Sequence, residues 1–260
     1  MAISSPKIFT VRKIDAQHAH MWSERRIEDE VNACPNRNLL KIFSQYLPKN
    51  GLILEAGCGL GGWLITLSRM GYKIEGIDFD KKVIKRLNRF DSKLKISIQN
   101  VESTIYKTNS LDACISLGVI EHFEEGPELA LNETFRILKP NGIMILTVPY
   151  NNFIRKTIYH PLRTAFTNYL RYKKRKIYFA EYRFNKKEII NQVKNAGFKI
   201  VDIEFDDYSI KTESLGLWAD WPMLRSSKPY KLNLLGRSLA LIINSFPWLV
   251  TSGICIIARK

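Results

Sequence analysis

Glycines and carboxylates around residue 57 hold the clearest chemical signal in the chain. Gly57, Gly59 and Gly62 follow directly on the apolar run Leu52-Ile-Leu-Glu-Ala56. Glycine at 57 and 59 lets the backbone turn sharply off a strand and approach a ligand where a Cβ would collide. A helix starting behind such a loop offers free N–H groups and the positive end of its dipole to an anionic group. Asp78 stands 21 residues past Gly57, at the end of the next apolar run. That is the separation at which a carboxylate reaches the ribose hydroxyls of an adenosine-bearing cofactor. Two cofactors compete for the pattern. Gly57-x-Gly59-x-x-Gly62 satisfies the dinucleotide fingerprint literally, which keeps NAD open. Glu55 favours the other: a carboxylate two residues before the first glycine suits an ammonium and a sulfonium, as in S-adenosylmethionine, better than a pyrophosphate.

Other reactive side chains are sparse. His122 follows the apolar run Asp112–Leu117, where an acceptor would arrive at the sheet edge, and an imidazole there can take a proton from a hydroxyl near neutral pH. The competing reading makes Glu121-His122 a structural anchor for its loop, with Glu121 the weaker catalytic candidate. His18, His20 and His160 show no ligand spacing. Cys34, Cys58, Cys114 and Cys255 form no CxxC pair, so no metal site and no disulfide framework is expected. No Ser-His-Asp order supports hydrolase chemistry. Trp22 and the basic pair Arg25-Arg26 precede the core. Arg26 could meet a cofactor carboxylate, although a surface ion pair with Glu28 to Glu30 is the simpler expectation.

The elements that must position these groups alternate. Helical spacing over Ser23–Tyr46 is broken at Pro35. Strands are expected at Leu52–Ala56, Lys73–Ile77, Lys95–Gln99, Asp112–Leu117, Ile143–Val148, Lys199–Phe205 and Gly253–Ala258. Helices are expected at Gly61–Met70, Lys81–Phe90, Pro127–Leu138 and Lys186–Ala196. Lys139-Pro-Asn-Gly142 is a turn signal. Such alternation argues for an α/β fold with a doubly wound, mostly parallel sheet. Tyr150–Asn185 and Tyr208–Val250 interrupt it, and insertions at these places usually carry specificity.

Several motifs in order bring a family into view. Glu55-Ala-Gly-Cys-Gly-Leu-Gly61 resembles motif I of class I S-adenosylmethionine-dependent methyltransferases. Asn109–Phe123 is similar to that family's fourth-strand motif, and Arg136-Ile-Leu-Lys-Pro-Asn-Gly142 to the turn before its fifth strand. The similarity covers residues 35–150 well and 180–206 more weakly. It implies a Rossmann-like sheet of seven strands, the last antiparallel, with S-adenosylmethionine as cofactor. On the matching positions, Glu55, Gly57 and Gly59 would line the methionine end, Cys58 and Gly61 would also bind the cofactor, and Asp78 would hold the ribose. Phe79 would flank the adenine, and Asn100 and Val101 would meet its edge; an acidic residue often stands where this chain has Asn100. Leu117 and Gly118 would line the inner face, and His122 would be the candidate base.

Charge is the unusual part of the composition. Of 260 residues, 40 are Lys or Arg and 25 Asp or Glu, for a net +15. Residues 155–187 hold eleven of the basic residues against one acidic residue, Glu181, interleaved with Tyr159, Phe166, Tyr169, Tyr172 and Tyr178. Such a segment can meet an anionic membrane surface, grip single-stranded nucleic acid, or simply face water. No Asn/Asp-Pro-Pro-Tyr motif for base methylation is present at Val148-Pro-Tyr150, which weighs against nucleic acid. Leu232–Val250 is apolar but too short and interrupted for a transmembrane helix. The expected organisation is an N-terminal helical cap (1–50), a cofactor-binding core (51–149), a basic aromatic lid (150–185), and the rest of the core (186–260) with an apolar insertion at 208–250. No signal-peptide pattern stands at the start. The expectation is a cytoplasmic enzyme, peripheral at the membrane, that methylates oxygen or nitrogen of a small or lipid- or glycan-linked metabolite. An RNA methyltransferase and a non-catalytic cofactor-binding scaffold are the alternatives, and the sequence does not give the oligomeric state.

Overall fold

The computed structural model describes residues 3–11, 22 and 25–260. Seven strands form the central sheet: β2 (Leu52–Ala56), β3 (Lys73–Asp78), β4 (Ile96–Ile98), β5 (Leu111–Leu117), β6 (Leu138–Pro149), β8 (Lys199–Asp206) and β9 (Gly253–Arg259). Their spatial order is β4-β3-β2-β5-β6-β9-β8. β2 to β6 pair in parallel, while β9 enters between β6 and β8 and runs antiparallel to both. The order reverses between β2 and β5, so a crevice opens beyond their C-terminal ends, where open α/β sheets bind ligands.

Helices cover both faces. α1 (Ile27–Ala33), α2 (Leu39–Tyr46), α3 (Gly62–Arg69) and α4 (Lys81–Phe90) come from the first half of the chain, with α5 (Glu128–Ile137) and α7 (Lys186–Asn195) later. β9 shows why the sheet is held so firmly. Ile254, Ile256 and Ala258 enter one buried cluster with Leu131 and Val193, while Cys255 and Ile257 enter the opposite cluster with Phe43 and Leu67. Alternate residues thus feed two cores, and a one-residue slip would exchange them.

The lid and the N-terminal segment each add a strand to their helices. β1 (Lys7–Thr10) pairs antiparallel with β7 (Tyr178–Tyr182) in a separate two-stranded sheet. Both strands are short, and the pairing spans some 170 residues of sequence, a separation that no local pattern announces. The rest of the lid is helical: a wider turn at Arg155–Tyr159 runs into α6 (His160–Tyr172). The second insertion forms α8 (Leu215–Asp220) and α9 (Leu234–Ile243). Ser214 caps α8 by accepting from Leu217 N, and Asn233 caps α9 by accepting from Gly236 N. Leu217, Leu224, Leu232, Ala240 and Val250 give this insertion its own small core.

Candidate functional site

The glycine loop leaves β2 as the sequence predicts. Gly57 and Cys58 donate their backbone N–H groups to Ile77 O on β3, at 2.8 and 2.9 Å. Gly57 has φ +79°, and a Cβ there would stand 2.5 Å from Val119 Cγ2; Gly59 has φ +50°, and a Cβ there would stand 2.6 Å from the Trp22 indole. Both positions therefore require glycine on grounds of conformation and space.

This loop borders a cavity of about 370 Å³ that also takes in Glu55, Leu117, Gly118 and Glu121 from the sheet edge. Glu55 is buried at the end of β2, and its Oε2 has no hydrogen-bond partner. Burial pushes its carboxyl up to about 8, with Asp78 adding to the rise and the backbone N–H of Leu64 opposing it. A carboxylate so placed is stabilised by a cationic ligand. Asp78 is turned into the loop: its Oδ2 accepts from Gly59 N and its Oδ1 from Asp80 N, both at 2.9 Å. Burial raises its carboxyl while those N–H groups pull it down.

The sequence-derived residues divide in two. Glu55, Gly57, Cys58, Gly59, Leu117 and Gly118 share the cavity wall. Gly61, Asp78, Phe79, Asn100 and Val101 do not, although Asp78 is tied to the loop through Gly59. His122 is also behind the wall: its Nδ1 lies 2.8 Å from Ala180 O on β7, and its Nε2 lies 3.9 Å from Glu121 Oε1. Glu121 itself faces the cavity. His18 and His20 lie outside the described residues.

The far wall comes from both insertions, which sequence patterning did not connect. Arg155 and Arg183, counted among the basic run, are not surface charges; both are buried on the cavity and grip Asp220 at the end of α8. Arg155 Nε donates to Asp220 Oδ2 at 2.6 Å, and Arg183 Nη1 to Oδ1 at 3.1 Å. Arg183 also pairs with Glu181 at 2.6 Å. Burial opposes ionisation of Asp220, yet the two guanidiniums hold its carboxyl below the ordinary value. The available signal was Glu181 two residues from Arg183, which places both on one face of a strand. The partner Asp220, some forty residues away, gave none. Arg25, not Arg26, reaches the cavity, donating to the Tyr230 hydroxyl at 2.7 Å beside Trp218. Arg26 makes the expected exposed pair with Glu28.

Comparison with known proteins agrees with this geometry. The methyltransferase-domain family matches residues 21–203, more than half of the chain. A mitochondrial ubiquinone biosynthesis O-methyltransferase of Dictyostelium discoideum is 32% identical over 138 residues, 44% of this chain and 43% of that protein. A tRNA (carboxymethyluridine(34)-5-O)-methyltransferase of Arabidopsis thaliana is 32% identical over 108 residues, 41% of this chain and 26% of that protein. The chain thus spans less than half the length of these curated relatives. Among solved structures, an S-adenosylmethionine-dependent methyltransferase of Methanosarcina mazei superposes with a TM-score of 0.59 at 18% identity, over 84% of this chain and 96% of that one.

The fold and the loop therefore have the Rossmann-like architecture of class I methyltransferases. The chain belongs to the methyltransferase-domain family, and the cofactor that this kinship implies is S-adenosylmethionine. The residues fit that cofactor: Glu55 lines the cavity and carries a buried carboxylate oxygen without a partner, and Gly57 and Gly59 leave the loop without side chains.

Proposed function

We propose that the protein transfers a methyl group from S-adenosylmethionine to an oxygen or nitrogen of a small or lipid- or glycan-linked metabolite, using the Glu121-His122 pair to handle the acceptor's proton. The observation that carries the reading is the shared cavity, which has the glycine loop on one side and the two insertions on the other. Bound there, S-adenosylmethionine supplies an activated methyl group. Glu55, Gly57, Cys58 and Gly59 would hold it, Gly61 would start the helix behind the loop, and Asp78 would brace the loop on the ribose side. Leu117 and Gly118 would bound its inner face, with Phe79, Asn100 and Val101 toward the adenine. The protein's own contribution is mainly alignment and exclusion of water.

The outer surfaces of the insertions support an acceptor drawn from a membrane. α6 exposes Leu162, Phe166, Tyr169 and Tyr172, the last at 81% of its full accessibility. α9 exposes Leu234, Leu235, Leu241 and Ile242, with Phe246 beyond it. Lys156, Lys173 to Lys176 and Arg237 accompany these faces. Apolar helix faces beside basic side chains match an anionic bilayer, which offers negative headgroups above an apolar interior. No helix among the described residues is long and apolar enough to cross a membrane, so the proposed attachment is peripheral.

RNA is the second reading, because Lys173 sits 5.8 Å over the exposed ring of Tyr169 and near Tyr172, a combination that stacks bases and neutralises phosphates. Incubating the protein and labelled S-adenosylmethionine with cell extract, then separating lipid, aqueous and RNA fractions, distinguishes them. Label in the lipid or aqueous fraction is expected. Label confined to RNA would replace the proposal with the second reading.

A further inference from the structure

We infer that the acceptor's reacting atom is a hydroxyl oxygen and that Oε2 of Glu121 receives its proton, with His122 seated behind the carboxylate as a positioning residue. This rests on the methyl transfer proposed above and narrows its acceptor.

The two members of the pair are placed very differently. Both belong to the short turn Ile120–His122 that follows β5, but only Glu121 lines the cavity. Glu121 is 3% exposed, and its Oε2 has no hydrogen-bond partner in the protein. Its Oε1 packs toward Gly118, 3.4 Å from where a Cβ on that glycine would stand. A buried carboxylate oxygen without a donor is costly unless a ligand proton meets it. His122 is committed elsewhere. Because a carbonyl only accepts, the contact with Ala180 O places a ring proton on Nδ1 and turns Nε2 toward Glu121. His122 is thus oriented by β7 and stands 3.9 Å behind Glu121.

The charges acting on Glu121 are His122 from its own turn, Glu181 from β7 and Arg183 just past that strand. Burial pushes the carboxyl up to about 7, with Glu181 adding to the rise and His122 and Arg183 opposing it. A general base works best when its pKa lies near the operating pH. A neutral amine attacks without one, whereas a hydroxyl gains from losing its proton as the bond forms. The step balances: the hydroxyl oxygen bonds to the methyl carbon, its proton moves to Glu121 Oε2, and the electron pair of the broken carbon–sulfur bond stays on sulfur. A carboxylate and a sulfonium thereby become a carboxylic acid and a thioether.

Glu121→Gln and His122→Asn test this beside the unaltered protein. Infrared difference spectra of the ligand-free protein, recorded from about pH 5 to pH 9 to bracket a base poised near neutrality, should contain a protonated-carboxyl band that titrates near 7 and is absent from Glu121→Gln. Calorimetry should find S-adenosylmethionine binding retained by both variants. Methyl transfer to extract acceptors should fall at least about 100-fold in Glu121→Gln, the lower range for loss of a general base, and the label should be in a methyl ether. His122→Asn should lose less and shift the pH profile. A carboxyl band titrating near 7 that survives in Glu121→Gln overturns the assignment, the separate band of Glu55 near 8 being expected in both proteins. So does an activity within about threefold of normal with the pH profile unmoved, far short of a base's usual contribution, or label found on nitrogen. Absence of transfer by every form, with S-adenosylmethionine still bound, would defeat the broader reading of function, while the infrared band would still decide Glu121.

Discussion

The two sides of the cavity are built by opposite means. The cofactor side is backbone: a loop between β2 and α3 whose glycines sit at positive φ and whose N–H groups are held by the neighbouring strand. The acceptor side is side chains: Arg155, Arg183, Glu181, Glu121 and Asp220, brought together from the turn after β5, the end of β7 and the residue beyond it, α8 and the turn before α6. A backbone site tolerates almost no substitution at its tight points but can be copied between proteins with different acceptors. A side-chain site can be rebuilt by exchanging insertions, at the risk of leaving buried charges unpaired. That division is why the resemblance to other methyltransferases is strong through residue 150 and thin in the insertions.

The contrast can be broken from either side. Asp220→Ala should have the largest effect on folding, because it strands two buried guanidiniums; loss of one partner of a buried ion pair costs about 3–5 kcal/mol, and thermal unfolding would register it. The pH dependence follows from the depressed carboxyl of Asp220. Its contribution is present above the pKa the residue has in the unfolded chain and is lost as pH falls through the lower folded value. Acid should therefore destabilise the unaltered protein but add less to the damage in Asp220→Ala.

Gly57→Val should do the reverse, sparing most of the fold while excluding the cofactor. The added Cβ meets Val119, and the φ is one that a β-branched residue avoids. Binding of S-adenosylmethionine should weaken at least about 100-fold, equivalent to ~2.7 kcal/mol, by calorimetry. Smaller effects belong to the outer surface. Replacing Lys173, Lys174 and Lys176 by Gln should weaken flotation with phosphatidylglycerol-containing vesicles by about 1 kcal/mol per charge at low salt, and less at high salt where screening is strong. Leu241→Ser and Ile242→Ser, on the exposed face of α9, should change stability by less than about 0.5 kcal/mol yet reduce the same flotation. Vesicle binding indifferent to both sets of changes would leave the insertions as solvated cover for the cavity.

The same division explains what could be read from sequence. Most strands and helices of the core were legible, since apolar runs closed by glycine leave few alternatives; Leu52–Ala56 and Lys81–Phe90 match their expected limits, whereas β6 begins at Leu138 and runs through the expected turn Lys139–Gly142. Glu55 and the glycines were legible because their requirement is local. The β1–β7 pairing was not, because each strand is short and its partner distant in sequence. Nor could charge counting tell Arg155 and Arg183 from the lysines at 173, 174 and 176. Burial of an arginine depends on a carboxylate arriving from elsewhere, here Asp220. For the Glu121-His122 pair, both residue types suggested proton transfer, but only the turn after β5 shows which one meets the cavity.

Calorimetric titration of the protein with S-adenosylmethionine, run at pH 7 in two buffers of different protonation enthalpy, tests the central assignment most directly. With its carboxyl near 8 before the ligand arrives, Glu55 is mostly protonated at pH 7 and must ionise to face a cation. Binding should therefore release a proton, the release should disappear in Glu55→Gln together with much of the affinity, and NAD should give no heat. Tight binding of NAD, or binding of S-adenosylmethionine that is indifferent to Glu55, would contradict the assignment.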